Sequence, residues 1–146
     1  PPYYGDGVAL KVARYIMYLS SYMMQNPAIT GPGYDTFGDI GAVEYGLADK
    51  VNYVRGLLRT MEALWPQLWE VDLRSEAPQL AVPIYFLEGR HDVNAPPALA
   101  EDYLMTLEAP HKELIWFEHS GHSPWVDEAP KMVDVMVNTV LAQTTP

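Results

Sequence analysis

The sequence contains no cysteine, few basic residues and no long apolar run. Without cysteine the chain has no disulfide, no thiol nucleophile and no thiolate ligand for a metal. Nine basic residues against nineteen acidic ones give a net charge of −10, which argues against nucleic acid as a partner, since phosphates require clustered Lys and Arg. No apolar stretch approaches the length of a membrane span.

The first half of the chain has the apolar spacing of helices. Apolar residues recur every three to four positions over residues 8–25 and 49–65, which predicts two amphipathic helices. Pro66 is expected to end the second helix, and Asp49 to cap its start. The Gly- and Pro-rich stretch between them allows a short helix at about residues 34–43. Such helices need a partner surface, which their periodicity alone does not identify.

A strand that ends in an acidic turn opens the second half. The run VPIYFLEG at residues 82–89 is rich in strand-forming residues, and Asp92 lies just beyond its end. A helix is predicted at about residues 98–108, because Pro96 and Pro97 suit a first helical turn and apolar side chains follow at helical spacing. The residues expected to face the core are Leu99, Tyr103, Leu104 and Leu107.

A second strand, ELIWF at residues 113–117, ends in a turn with His122 at its tip. Two strands joined by a helix of this length are expected to be parallel neighbours with a right-handed crossover. Loops that follow parallel strands open at the same edge of the sheet, so Asp92 and His122 should lie on adjacent loops. A carboxylate in that place can accept a hydrogen bond from the imidazole Nδ1–H and hold the ring in one tautomer.

A closing helix is predicted over about residues 127–142. Its apolar face is expected to pack on the sheet as the last element of the chain. The residues assigned to that face are Met132, Val133, Met136, Val140 and Leu141.

Two motifs with a helix between them, GRHD after the first strand and SGHSPWVDEAP after the second, resemble the C-terminal part of the α/β-hydrolase fold. The likeness is greatest to the proline iminopeptidase-like branch, and it covers residues 71–146 well and the earlier residues loosely. In that fold the catalytic residues follow the order Ser, then Asp or Glu, then His. The resemblance therefore implies that Asp92 is the acid and His122 the base of a catalytic triad.

The same resemblance implies how the chain is divided. Members of the family insert a helical cap before the acid-bearing strand, and the helices of residues 1–70 stand in that place. Residues 1–70 would then form a cap or lid region, and residues 71–146 the C-terminal part of the hydrolase core. The expected fold class is α/β, with parallel strands and crossover helices preceded by a helical cap.

The motif GxSxG, which carries the nucleophile in hydrolases of this fold, does not occur in the sequence. Five serines are present in other contexts, namely Ser20, Ser21, Ser75, Ser120 and Ser123. Ser120 and Ser123 lie in the same turn as His122, too close in sequence to present a hydroxyl to that imidazole. We therefore expect the chain to be the C-terminal piece of a larger enzyme, with the nucleophile and oxyanion hole on a companion N-terminal polypeptide.

The expected function is hydrolysis of an amide, a small peptide or an ester through an acyl-enzyme. The resemblance implies a small-molecule or peptide substrate and neither a cofactor nor a metal. Two other classes stay open. One is a relative on the same fold without serine chemistry, such as a lyase, an epoxide hydrolase or a non-catalytic receptor, and the other is a stand-alone binding module.

The histidines also allow a metal-binding interpretation. His119 and His122 have the spacing H-x-x-H, and Asp92 is expected nearby. These are turn residues, however, and no helical face aligns them as ligands. We therefore expect no metal at this position.

Overall fold

The computed structural model describes residues 5–144 of the chain. The helices are α1 (Val8–Met23), α2 (Thr36–Gly41), α3 (Leu47–Leu68), α4 (Leu73–Glu76), α5 (Pro97–Thr106), α6 (Pro124–Asp127), α7 (Ala129–Val135) and α8 (Ala142–Thr144), with a π-helical turn at Met136–Leu141. The strands are β1 (Ile84–Gly89) and β2 (Lys112–Phe117). Within the described residues, no helix is both long and apolar enough to cross a bilayer.

The described residues divide into two compact units. One comprises residues 5–18 and 35–71, and the other comprises residues 19–34 and 72–144. The predicted boundary between cap and core near residue 70 stays a prediction. The candidate site lies in the second of these units.

Strands β1 and β2 form a parallel pair, and α5 is the crossover between them. The register pairs Ile84 with Lys112 and Gly89 with Phe117. The sequence predicts such parallel neighbours, and the structure confirms them. Strand β1 begins at Ile84 rather than at the predicted residue 82, because Pro83 has no N–H to offer a ladder. Helices combined with a small parallel sheet are compatible with the α/β class.

The core around the crossover helix is small and partly aromatic. Phe117 and Leu107 are fully buried, and Tyr103 is nearly so. The ring of Phe86 meets that of Tyr103 edge to face, with centroids 6.0 Å apart. The prediction that Leu99 faces the core is wrong, since its side chain is 67% exposed. Leu99 lies in the first turn of α5, whereas the buried residue of that helix, Tyr103, lies one turn later.

The C-terminal helical region is not the single helix that the periodicity predicts. It begins as α6, restarts after Glu128 as α7, and then widens into the π-helical turn. Val135 is buried there, although it was not assigned to the apolar face. Three residues that were assigned to that face are exposed, namely Val133, Met136 and Leu141. The predicted face is wrong because the restart and the wider repeat of the π turn break the 3.6-residue phase.

Helices α1 and α2 lie where the sequence predicts helices, although Tyr22, which the spacing places on the apolar stripe of α1, is 60% exposed. Helix α1 lies within the predicted residues 8–25, and Val8, Val12 and Met23 of its apolar stripe are buried. Helix α2 occupies the place of the predicted short helix. Asp35 caps it by accepting a hydrogen bond from the N–H of Gly38 at 2.9 Å.

Helix α3 runs for 22 residues, and none of its residues is buried. It continues through Pro66, so the prediction that this proline ends the helix is wrong. A proline in the last turn removes only one backbone hydrogen bond, and Trp65 packs edge to face on Trp69 one turn later, with centroids 5.8 Å apart. Asp49 is not the N-cap. That residue is Gly46, whose N–H donates to the Asp49 carboxylate at 3.0 Å.

Candidate active site

The turns after β1 and β2 bring an aspartate and a histidine together. Asp92 follows the last residue of β1 by three positions, and His122 follows the last residue of β2 by five. The Oδ2 atom of Asp92 lies 2.7 Å from Nδ1 of His122. The sequence predicts this juxtaposition from the parallel strands, and the distance confirms it. The roles of acid and base stay predictions.

Asp92 is buried, and both of its carboxylate oxygens are engaged. Its side chain is only 6% exposed. The Oδ1 atom accepts hydrogen bonds from the backbone N–H groups of Asn94 at 2.7 Å and Ala95 at 3.0 Å, which closes a local turn around the carboxylate. Because both of these bonds go to Oδ1, Oδ2 is left to meet His122. The N-cap of α5 is Pro96, so Asp92 does not serve as the helix cap.

His122 is placed differently, with a side chain that is 48% exposed. Its Nδ1 faces the buried carboxylate, and Nε2 lies across the ring from that contact. A carboxylate acceptor at Nδ1 favours the tautomer that carries the proton there, which leaves Nε2 with a free lone pair. The ring can therefore take a proton at Nε2 from a group that approaches from solvent.

The two turns touch through their backbones as well as through this pair. The N–H of His91 donates to the carbonyl of Ser120 at 3.1 Å. Gly89 abuts the carbonyl oxygens of Gly121 and Ser120 so closely that a Cβ at position 89 would overlap them. A glycine at the end of β1 is therefore required for the His122 turn to lie against the Asp92 turn.

Arg90 of the GRHD motif makes a structural contact at the outside of these turns. Its guanidinium donates to both carboxylate oxygens of Glu118, at 2.9 and 2.8 Å. It also lies over the ring of Trp116, 3.5 Å from the centroid. Arg90 thus joins the turn after β1 to the end of β2.

Ser120 and Ser123, which flank the histidine, are both buried. The hydroxyl of Ser120 donates to Oε2 of Glu128 at 2.7 Å, and the same oxygen accepts the N–H of His119 at 2.9 Å. This bond engages the Ser120 proton away from His122. It supports the prediction that Ser120 is not the nucleophile of the histidine in its own turn.

The surroundings of His122 favour its charged form. The hydrogen bond with Asp92 raises the pKa of the imidazole above its ordinary value of 6.5, partial burial opposes this, and the negative charges of Asp92 and Glu88 add to the rise. Asp92 therefore both orients the ring and stabilises an imidazolium. A base of this kind is neutral, and able to accept a proton, at a somewhat higher pH than a free histidine.

Glu88 is a nearby charge that sequence reasoning missed. It is the penultimate residue of β1, and burial raises the pKa of its carboxyl, with a further rise from the charge of Asp92. The available signal was a single acidic residue inside an otherwise apolar strand, next to the turn with the acid. Glu88 is thus an electrostatic neighbour of the Asp92–His122 pair.

The metal-binding interpretation finds no geometry to support it in the residues that the structure describes. Across residues 5–144, no three His, Asp or Glu side chains converge in a way that could hold a metal ion. His119 is exposed, and Nδ1 of His122 is already committed to Asp92.

Three curated proteins that are similar to parts of this chain are hydrolases by name. The "Probable aminopeptidase YbaC" of Bacillus subtilis (strain 168) is 32% identical over 85 residues, which make up 58% of this chain and 27% of that protein. The pimeloyl-(acyl-carrier protein) methyl ester esterase of Vibrio atlanticus (strain LGP32) is 37% identical over 71 residues, 49% of this chain and 27% of that protein. The esterase of the same name from Vibrio cholerae is 40% identical over 62 residues, 42% of this chain and 24% of that protein.

The chain spans about a quarter of the length of these curated relatives. No family model matches it, and neither does any solved structure. The names of these relatives are names of hydrolases, which agrees with the resemblance drawn from the motifs around Asp92 and His122.

Proposed function

We propose that this chain supplies the acid, Asp92, and the base, His122, of a serine-dependent α/β-hydrolase that works through an acyl-enzyme. The observation that carries the proposal is the 2.7 Å contact between Asp92 Oδ2 and His122 Nδ1 at adjoining strand ends. A buried carboxylate that holds a half-exposed imidazole by Nδ1 is the arrangement in which the acid of a Ser–His–Asp triad orients its base.

The proposed chemistry uses the two nitrogens of His122 separately. Nε2 takes the proton of the attacking hydroxyl and later returns it to the leaving group, so it serves first as base and then as acid. Nδ1–H stays on Asp92, which remains ionised and stabilises the imidazolium. In the second half of the reaction Nε2 activates the water that hydrolyses the acyl-enzyme.

The nucleophile and the oxyanion hole are proposed to lie on a companion N-terminal segment outside this chain. The absence of GxSxG from the sequence supports this, as does the engagement of the Ser120 hydroxyl by Glu128. The helical residues 1–70 would form the cap above the substrate, and residues 71–146 the C-terminal part of the core. We also propose that the hydrolase belongs to the proline iminopeptidase-like branch, which the motifs around Asp92 and His122 resemble.

For the substrate we propose an amide of a small peptide ahead of an ester. The relative with the longest stretch of similarity among those named is a probable aminopeptidase, whereas the shorter matches are methyl ester esterases. Both reactions pass through the same acyl-enzyme on the same triad, so acid and base serve either one. The group on the carbonyl would be selected by the cap and by the segment with the nucleophile.

The test is labelling of the protein isolated from its source with a fluorophosphonate probe, followed by denaturing mass spectrometry. A companion polypeptide, or a longer chain that contains this one, should carry the mass of one probe. His122→Ala should abolish labelling, and Ser120→Ala should leave it intact if the variant folds.

Two results would contradict the proposal. Labelling of Ser120 would show that the nucleophile lies on this chain and not on the proposed N-terminal segment. A complete parent protein that folds, retains His122 and takes no label would favour a relative without serine chemistry or a binding module.

A further inference from the structure

The backbone of the His122 turn is held by a carboxylate that belongs to neither of the proposed catalytic groups. Oδ2 of Asp127, at the end of α6, accepts the N–H of Gly121 at 3.3 Å. Its Oδ1 accepts the N–H of Gly33 at 2.8 Å. Asp127 therefore bridges the residue just before His122 and a segment that lies some ninety positions earlier in the chain.

That earlier segment, residues 24–34, is termed the strap. It contacts the His122 turn at a second point, where the N–H of Thr30 donates to the carbonyl of His119 at 3.1 Å. Gly31 abuts the backbone of Asp127 so closely that a Cβ would overlap it. The strap thus contacts Asp127 itself and the backbone of His119 in the His122 turn.

Gly121 is enclosed on three sides, by Met23, Gly89 and Asp127. The sulfur of Met23 lies 2.6 Å from the place where a Cβ would stand, the backbone of Gly89 approaches its carbonyl, and Asp127 binds its N–H. The peptide that leads into His122 consequently has little room to move.

These contacts to the backbone of Gly121 matter for His122 because the His122 side chain itself is 48% exposed. Packing alone does not fix a ring with that much solvent around it. The ring keeps its 2.7 Å bond to Asp92 only if its own backbone stays in place. A displacement of about 1 Å in a catalytic group can cost on the order of a hundredfold in rate.

We infer that Asp127 is a positioning residue for His122, which acts by tying the backbone of Gly121 to the strap. The inference rests on the proposed function for its catalytic meaning, but the geometry it predicts can be measured without turnover. The charged groups that raise the pKa of His122 are Asp92 and Glu88, so Asp127 is expected to act through backbone position.

The experiment measures the tautomer of neutral His122 in the 146-residue chain by long-range proton–nitrogen NMR, with His122→Gln to assign its signals. The unsubstituted chain should show the Nδ1–H tautomer. Asp127→Ala should shift His122 towards the mixture of tautomers found in a free imidazole and lower its pKa towards 6.5, since the bond to Asp92 loosens. Asp127→Asn, which keeps one acceptor oxygen, should lie between the two.

Asp134→Ala is the matched control. It removes one exposed acidic side chain from α7, whose carboxylate accepts a hydrogen bond from the side-chain amide of Asn138 at 2.7 Å. It should leave the tautomer and the pKa of His122 unchanged.

The results separate this inference from the proposed function. If the unsubstituted chain lacks the Nδ1–H tautomer, the Asp92–His122 pair itself is wrong, and the proposed function fails with it. If that tautomer is present and both Asp127 variants, folded by circular dichroism, retain it with an unchanged pKa, Asp127 does not position the base. If Asp134→Ala changes the tautomer and pKa of His122 as much as Asp127→Ala does, the effect comes from the loss of a negative charge, and the inference is overturned as well.

Discussion

Among single residues, burial separates the proposed roles of the pair. Asp92 is almost fully enclosed and has an acceptor bond at each oxygen, which suits a group that stays ionised and in place. His122 is half exposed, which suits a group that must meet a hydroxyl and a leaving group in turn. The same contact that orients the ring also stabilises its positive charge.

Replacement of Asp92 by Asn tests the orientation of the base. In the proposed hydrolase Asp92→Asn should lower kcat by about 10⁴-fold, because the amide no longer enforces the Nδ1–H tautomer or stabilises the imidazolium. The measurement is steady-state turnover of a peptide amide, with Asp102→Asn, an exposed site on α5, as the control. A rate near that of the unsubstituted enzyme would remove Asp92 from the mechanism.

Replacement of Glu88 by Gln tests how the charge of Glu88 affects the pKa of His122. The charge of Glu88 raises the pKa of His122, so Glu88→Gln should lower it, while Asp92 continues to hold it above the ordinary value. Activity that needs neutral His122 should then appear at lower pH. An NMR titration of His122 or the rising limb of the pH–rate profile measures this, and an unchanged or higher pKa would contradict it.

At the level of secondary structure elements, the side chain at the end of β1 must be small for the Asp92 turn and the His122 turn to lie against each other. A Cβ at position 89 would overlap the carbonyl oxygens of Gly121 and Ser120, which belong to backbone and cannot rotate away. The pairing of Gly89 with Phe117 places this contact at the last rung of the parallel ladder. The distance between the two proposed catalytic groups therefore depends on a glycine that carries no chemistry.

Gly89→Ala should destabilise the protein by about 1–3 kcal/mol, the usual range for overpacking, and should weaken the Asp92–His122 bond. Gly56→Ala is the matched control in α3, where an added Cβ meets nothing within 4 Å. That substitution should stabilise the helix by about 0.5–1 kcal/mol. Urea unfolding measures both, and equal effects in the two variants would show that position 89 has room.

Over the whole chain, buried contacts are spread unevenly between the two compact units. Helix α3 has no buried residue, whereas β2 ends at the fully buried Phe117 and the crossover helix leads to the buried Leu107. Local opening is easiest where few apolar contacts must be broken. The region around the Asp92–His122 pair should therefore be more stable than α3.

Hydrogen exchange followed by mass spectrometry tests this expectation in the 146-residue chain. Amides of α3 should exchange faster than those of β1, β2 and the turn around Ser120 and Gly121. The peptides of the two strands provide the reference within the same sample. Protection of α3 equal to that of the strands would show that its exposed apolar face is covered in solution.

The sequence predicts the parts of the fold that depend on local pattern and chain connectivity. A strand run, a helix of crossover length and a second strand run imply parallel neighbours, and the meeting of Asp92 with His122 follows from that topology. The errors arise where the local signal is weak against context. Pro66 is tolerated because it lies in the last turn of α3, where Trp65 packs on Trp69. Leu99 is exposed although it has the helical spacing of a core residue, because burial depends on contacts that spacing alone does not fix.

The amino-acid sequence alone thus predicts the strand–helix–strand order of the second half, the edge of the sheet at which its two turns meet, and the pairing of Asp92 with His122 there. Tertiary structure alone reveals that Glu88 adds to the field at His122 and that Asp127 ties Gly121 to Gly33. The physical reason is range. Periodicity and strand order act between near neighbours along the chain, whereas a hydrogen bond across some ninety residues exists only after the chain has folded.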